Sequence, residues 1–476
     1  MTTRRGSRPP APHVVVVGAG IAGLSAAASV RRQRPDVGVT VLESSRGIGG
    51  KLALAEVGGV TVDVGAESIL NRRPEGVELA RRSGLADRLV HPATTTASLW
   101  SRGQLRAMPR TLMGVPIDAR GLADSGVISK AGLARAALDA VLPETRLDDA
   151  DISIGDLIEE RFGREVVDRL VEPLLGGVYA GHAREISARA AVPQVVALLD
   201  RDRSMLKAAA AATRESSDVP VFAGLVGGIG QLPAAVVESC GIDVHLNSTV
   251  RDLARRADGG WNLVIGSTRD PSIVQADAVI VAAPARPAGR LLADVAPDAA
   301  LALARIEYAS TAIVTMAFRR DKFPETTGSG FLVPPIDERT VKAATYSFAK
   351  WEWVDQVGAD LVVMRCSIGR HREEKVLQVD DAGLVDAAAN DLTSAIGLSV
   401  RPVDWHVQRW GGALPQYALG HVERVASIQE SVASQPGLAV CGAAYDGLGI
   451  PACIASAERA TTQVLAGLAT QERMGS

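Results

Sequence analysis

Val14-Val15-Val16-Val17-Gly18-Ala19-Gly20-Ile21-Ala22-Gly23 is the stretch on which the fold turns. Four consecutive valines read as a short buried strand, and the Ala-rich run from Ile21 to about Arg32 reads as a helix. The three glycines between them have distinct uses. Gly18 permits a tight turn, Gly20 lets the backbone approach a pyrophosphate, and Gly23 allows the helix to pack closely on the strand. The free N–H groups and positive dipole end of the helix face the same place. A turn at Pro35-Asp36 leads into a second strand, Val39–Leu42. Glu43 closes that strand 20 residues past Gly23, where a carboxylate accepts hydrogen bonds from ribose hydroxyls. The unit predicts a β-α-β dinucleotide-binding fold. A carboxylate at Glu43 repels a 2′-phosphate, which excludes NADP; spacing alone leaves FAD and NAD open.

A chain of 476 residues exceeds what one core holds, so two or three domains are expected. The net charge of −3 excludes a nucleic-acid partner held by bulk charge. Cys240, Cys366, Cys441 and Cys453 lie far apart and form no CxxC pair, which argues against a zinc site or disulfide framework and fits a reducing, cytoplasmic compartment. His371 falls in a charged run with Glu373 and Glu374 and reads as part of a solvated helix face. Arg4 and Arg5 precede an uncharged stretch and imitate a twin-arginine export signal. Cleavage near Ala28 would discard the glycine loop, so the stretch is read as nucleotide fold. Nothing else approaches the ~20 apolar residues needed to span a membrane.

Along the chain, helical patterns dominate from about 91 to 203. Ser153–Leu175 is the clearest, with Ser153 as cap, Asp156 three residues on, and Gly176-Gly177 as the expected stop. Strand patterns return after Pro220: Val244–Val250, Trp261–Ile265 beyond an Asp258-Gly259-Gly260 turn, Ala278–Ala282, Ala312–Phe318, Leu361–Ile368 and Leu438–Cys441. Asp381–Ile396 and Ile454–Leu468 read as helices. No repeat or low-complexity linker separates these segments, so the domains are expected to interleave.

Beyond Glu43 and Ser44, Arg46-Gly47-Ile48-Gly49-Gly50-Lys51 and Val62-Asp63-Val64-Gly65-Ala66-Glu67-Ser68 resemble the second glycine pair and the flavin-side strand of the amine-oxidase-like flavoproteins. Lys51 stands where that group often has Arg. Cys441-Gly442 through Gly449-Ile450-Pro451-Ala452-Cys453-Ile454 resembles the closing loop of the protoporphyrinogen and coproporphyrinogen oxidases, with Ala452 in place of a usual Asp. Three further segments resemble the same oxidases: Gly65–Pro74, Glu172–Gly181, and Gln408–Trp410 with Ala413–Tyr417 and Gly420-His421. Gly227–Leu232 followed by Val250 resembles the segment whose valine backbone meets the adenine. The likeness runs from about 12 to 468 and is nearest to the bacterial coproporphyrinogen III oxidases of the Gram-positive type.

That resemblance implies an α/β fold: a Rossmann-type FAD-binding domain in three parts (12–90, 211–286 and 421–476), a helical subdomain (91–210) and a mixed α+β substrate-binding domain (287–420). It implies FAD held by Gly18, Gly20, Ile21, Ala22, Gly23, Glu43, Ser44, Gly49, Gly50, Lys51, Gly65, Ala66, Glu67, Ser68, Val250, Ala283, Gly442, Gly449, Ile450 and Pro451. Arg72, Arg73, Gly177, Val178 and Tyr179 are implied at the substrate. Their residue types alone also suit a solvated arginine pair and a core tyrosine. The implied reaction removes three hydrides and three protons from a porphyrinogen in haem biosynthesis, with molecular oxygen as final acceptor and hydrogen peroxide as by-product. No catalytic acid or base and no metal ligand is assigned. The resemblance leaves room for a peripheral membrane contact and a downstream enzyme of the haem pathway as partners. An amine or polyene oxidoreductase, or a porphyrin carrier without turnover, stays open. Tyr445 is the one aromatic in the closing loop, which argues against the paired-aromatic cage of amine oxidases.

Overall fold

The strand His13–Val17 lies at the centre of a five-stranded sheet in the computed structural model, which describes residues 11–147, 150–214 and 219–475. Arg4 and Arg5 lie outside the described residues. The sheet order is Asp243–His245, Gly38–Leu42, His13–Val17, Ala278–Val281, Leu438–Val440, with every pairing parallel. Its strands come from three distant parts of the chain, which is the interleaving that the missing linkers suggest. Alternation divides the valines between two cores. Val14 and Val16 pack against the helices Ile21–Gln33 and Ile450–Gly475. Val15 and Val17 face Trp261, Leu292 and Ile428. The expected Val244–Val250 strand is two elements: Asp243–His245 joins the nucleotide sheet, and Val250–Arg255 starts a separate antiparallel meander. Asn247, at φ 54°, turns the chain between them.

A seven-stranded sheet stands beside this unit, in the order Asp404–Pro415, Tyr308–Arg319, Leu361–Ile368, Val341–Thr345, Gly330–Leu332, Ser98–Ser101, Gln104–Ala107. Its last two strands correct the sequence reading, which has 91–203 mainly helical. They are short, and the pairing of Ser98 and Leu99 with Phe331 and Leu332 is a long-range contact that no local pattern announces. One face of the sheet, with Val314, Met316, Met364, Cys366 and Ile368, packs on the helix Asp381–Ile396. The opposite face carries Ile313, Leu332, Ala343, Arg365 and Ser367, all only partly buried.

Helices from 119 to 214 cover the remaining side. Ser153 caps Ile154–Phe162 as expected, its Oγ accepting from the Asp156 N–H at 2.9 Å. The helix does not then run unbroken to Gly176. Gly163, at φ 85°, interrupts it, Val167–Val171 is a π-turn, and Glu172–Tyr179 continues through Gly176-Gly177 to stop at Ala180, φ 49°. Both glycines lie inside the helix, and a Cβ on either would make only ordinary contact, with Arg370 at Gly176 and Leu332 at Gly177.

A buried ion pair anchors this layer. Arg161 Nη2 lies 2.7 Å from Asp139 Oδ1, and the same carboxylate accepts from Ser204 Oγ and from the N–H groups of Met205 and Leu206 at the start of Met205–Arg214. Asp139→Ala leaves the guanidinium buried without its counter-charge and uncaps that helix. A loss of about 3–5 kcal/mol is expected in denaturant titration, with the flavin content of the folded fraction unchanged.

Candidate active site

The glycine loops meet as backbone on backbone. A Cβ on Gly18 would lie 2.9 Å from the Ala282 carbonyl oxygen, and one on Gly23 only 1.9 Å from that of Gly18. These positions hold strand, loop and helix together. Gly20 differs, because a Cβ there meets nothing within 4 Å. The space in front of the helix Ile21–Gln33, beside Ala22, is therefore open to a phosphate. The second glycine pair closes on the first. Gly20 and Gly49 form a parallel bridge, the Gly49 N–H donates to the Ala19 carbonyl at 2.8 Å, and a Cβ on Gly50 would lie 3.3 Å from Gly20 Cα. Lys51 follows, with burial lowering its pKa.

Glu43 ties its own turn to the first glycine loop. Its Oε2 accepts from the Ala19 N–H at 2.7 Å and its Oε1 from the Ser45 N–H at 2.8 Å. Oε1 also accepts from the Ser44 hydroxyl at 3.3 Å, so Oε2 is the oxygen that keeps a lone pair for a ribose hydroxyl. Ser44 is exposed beside it. The Glu43 carbonyl accepts from the Ser248 N–H, which brings Val250 to this turn, and Ala283 lies against Gly18.

The segment Asp63–Ser68 is fastened by residues about 300 positions away. Arg365 donates to the carbonyl oxygens of Asp63 at 3.0 Å and Gly65 at 2.9 Å, and its guanidinium lies 3.1 Å from Glu67 Oε2. Lys350 pairs with the other Glu67 oxygen and donates to Ser68 Oγ at 2.9 Å. Trp410 Nε1 donates to the Val64 carbonyl, and the Ala66 N–H to that of Lys51. Burial alone would raise the Glu67 pKa; the Lys350 and Arg365 charges overcome it and hold the carboxyl at about 2. Asp63 accepts from the N–H groups of Ile229 and Gly230 and so secures the loop Gly227–Gly230.

The third loop comes from the C-terminal part. Gly442, at φ 127°, sits against Ala22, and the long last helix starts at Ile450, with Pro451 next, four residues before the sequence pattern places it. Gly449 precedes that helix and accepts from the Cys453 N–H. Ala452 is buried and carries no polar group to replace the usual Asp. Three loops from residues 18–23, 49–51 and 442–451 therefore surround one open space at two helix N-termini.

Not every implied side chain reaches this space. Arg73 forms an ion pair with Glu75 at 2.6 Å, while Arg72 is exposed. Tyr179 is buried in the helical core, edge-on to Tyr417, with its hydroxyl donating to the Ala191 carbonyl at 3.2 Å. Gly177 and Val178 are exposed on the same turn, Val178 at 50%, and a Cβ on Gly177 would lie 3.6 Å from Leu332. His371 corrects the reading of a solvated run. It is buried, between Glu307 at 3.0 Å and Glu185 at 3.4 Å, because Gly369 turns the chain inward at φ 94°. Asp63, Lys350 and Arg365 were not foreseen as site residues. Arg365 carries a signal in hindsight, as a lone cation within the apolar strand Leu361–Ile368.

Fold and site together define an FAD-binding oxidoreductase. The chain belongs to the flavin containing amine oxidoreductase family, whose model matches residues 21–465. It is 38% identical over 462 residues to the coproporphyrinogen III oxidase of Mycobacterium tuberculosis, covering 96% of this chain and 98% of the relative. The protoporphyrinogen oxidase of Bos taurus is 27% identical, covering 95% and 98%. A solved chain from Exiguobacterium sp. 255-15, assigned provisionally as a protoporphyrinogen oxidase, superposes with a TM-score of 0.85 at 29% identity, covering 96% and 99%.

The glycines separate binding from folding. Gly20→Val is expected to fold with unchanged circular dichroism and emerge colourless, because its side chain fills the phosphate space. Gly23→Val is expected to lower the thermal midpoint of the apoprotein itself. Glu67 predicts a pH dependence. With its folded pKa depressed below the unfolded ~4.3, its stabilisation is present above that value and lost as pH falls toward 2. Urea unfolding at about pH 6 and about pH 3 is expected to show a smaller drop in Glu67→Gln than in wild type.

Proposed function

We propose that this chain oxidises coproporphyrinogen III to coproporphyrin III with molecular oxygen as acceptor. The observation that carries the reading is its 38% identity, over nearly the whole of both chains, to a coproporphyrinogen III oxidase, on a fold whose open face suits a flat macrocycle. Bound FAD would supply a two-electron acceptor; over three rounds the macrocycle gives up three meso hydrides and three protons, two from pyrrole nitrogens and one from the remaining meso carbon.

The protein's own part is positioning. Gly20 leaves the space in front of the helix Ile21–Gln33, while Gly18, Gly49 and Gly442, whose N–H groups donate to Leu42, Ala19 and Ser456, shape the loops around it together with Gly50 and Gly449. Glu43 would take the ribose, and Arg365, Lys350 and Glu67 lock the segment Gly65–Ser68, which would flank the flavin. The half-buried sheet face of Ile313, Leu332, Ala343 and Ser367 forms a floor, and the turn carrying Gly177 and Val178 lies over Leu332. A macrocycle between them is flanked by apolar side chains and shielded from water. Arg72, exposed and without an ion-pair partner among the described residues, is the residue we assign to a propionate at the rim. Tyr179 acts through packing, by fixing the turn that presents Val178. No side chain is assigned as acid or base.

The second reading is protoporphyrinogen IX, supported by the similarity to the bovine enzyme. Coproporphyrinogen III has four propionates and protoporphyrinogen IX two, so cationic partners favour the former. Turnover with coproporphyrinogen III is expected to consume about three O₂ and release about three peroxides per porphyrin. Its kcat/KM is expected to exceed that for protoporphyrinogen IX. The reverse order overturns the substrate assignment, and anaerobic flavin reduction by a polyamine in place of either overturns the class of substrate.

A further inference from the structure

Lys342 and Arg370 are the two buried cations that the arrangement above does not use. Lys342 is 3% exposed and Arg370 5%. They enter from neighbouring strands of the seven-stranded sheet. Lys342 occupies the irregularity between Val341, paired with Ile368, and Ala343, paired with Ser367. Arg370 follows Gly369, whose positive φ swings the chain out of the sheet and beneath the helix Glu172–Tyr179. The His371 N–H then donates to the Ala180 carbonyl at 2.6 Å and fixes the crossing. A Cβ on Gly176 would lie 3.8 Å from Arg370 Nε, so the guanidinium lies against the turn that carries Gly177 and Val178.

The two charges are under-compensated. Arg370 Nη2 donates to the Val333 carbonyl at 3.0 Å, whereas its Nε–H is buried and donates to no partner among the described residues. The nearest carboxylate, Glu373, is 3.9 Å away, 49% exposed, and shared with His182 at 3.3 Å. The Lys342 ammonium makes no hydrogen bond or ion pair among the described residues. Burial, with Arg370 beside it, pushes Lys342 down to about 7. Glu172 is the remaining acid in the surroundings. It accepts from the Ala183 N–H at 3.0 Å, its other oxygen is unpartnered, and burial raises its pKa, so it is a poor counter-ion. Two cations taken out of water against one half-exposed carboxylate require an anion. A guanidinium edge with a free N–H next to an ammonium suits a carboxylate, which can accept from both.

We propose that Lys342 and Arg370 form a binding site for one propionate of the substrate, at the wall of the cleft between the sheet and the helix Glu172–Tyr179. The proposal rests on the porphyrinogen reading and adds its specificity-determining residues. The pair binds and orients the macrocycle, with no part in hydride or proton transfer.

The test uses FAD-loaded protein, with coproporphyrin III as binding probe and its tetramethyl ester as the neutral control. Lys342→Met and Arg370→Met are each expected to weaken coproporphyrin III binding about ten- to a hundredfold, and to leave ester binding unchanged. The loss in kcat/KM for coproporphyrinogen III is expected to lie mainly in KM. Lys342→Met is also expected to raise the thermal midpoint, because it removes a buried unpaired charge; a structural role would lower it. Wild-type binding of coproporphyrin III by both variants overturns the site. So does a destabilised Arg370→Met that Glu172→Gln rescues with binding unaltered, since Arg370 then serves only Glu172. A wild type that neither binds coproporphyrin III nor oxidises coproporphyrinogen III overturns the function and this site together; normal wild-type turnover with unaltered variants overturns this site alone.

Discussion

Backbone lying on backbone at the glycine loops is the constraint from which the rest follows. The Gly18 carbonyl occupies the place a side chain at Gly23 would need, and Gly49 bridges directly to Gly20. Close packing of this kind leaves one volume that no protein atom enters, in front of Gly20. A cofactor with a pyrophosphate needs such a volume, ringed by N–H groups and positive helix ends. The loops owe their positions to the parallel sheet behind them, which gathers strands from residues 13–17, 278–281 and 438–440 into adjacent places.

Electrostatics extends that frame to the second domain. The Glu67 carboxylate is buried with Lys350 and Arg365, and Arg365 also holds the carbonyls of Asp63 and Gly65. A buried carboxylate with two cations tolerates desolvation that a lone ion would not. The flavin-side segment is thereby tied to the strand Leu361–Ile368, whose other face is cemented to the helix Asp381–Ile396 by apolar contacts. The segment Asp63–Ser68 and the seven-stranded sheet are thereby joined by charge and hydrogen bonds, and the same strand leads on through Gly369 to Arg370.

Three irregular points shape the helical run 154–180. Gly163, the π-turn Val167–Val171 and Ala180 re-aim a helix that would otherwise run straight, and they place Gly177 and Val178 above Leu332. A π-turn and a left-handed Ala each cost local stability and persist where surrounding packing over-determines them. Here Tyr179 and Tyr417 supply that packing.

Local pattern decided much of this protein. The run Val14–Val17 with its three glycines, Glu43, the strands Leu361–Ile368 and Trp261–Ile265 and the helix Asp381–Ile396 are all written in side-chain periodicity and turn chemistry, which act over a few residues. So were the three loops around the cofactor space, because a glycine required by close approach is visible wherever it stands. Tertiary structure alone decided the rest. Ser98–Ser101 is a strand because Gly330–Leu332 offers it an edge, and His371 is buried because Gly369 turns it inward. Tyr179 and Arg73 find partners within the protein, whereas Lys342 and Arg370 are left without adequate ones. Whether a cation is solvated, neutralised or held in reserve depends on which distant groups the fold brings within a few ångströms, and no spacing along the chain encodes that distance.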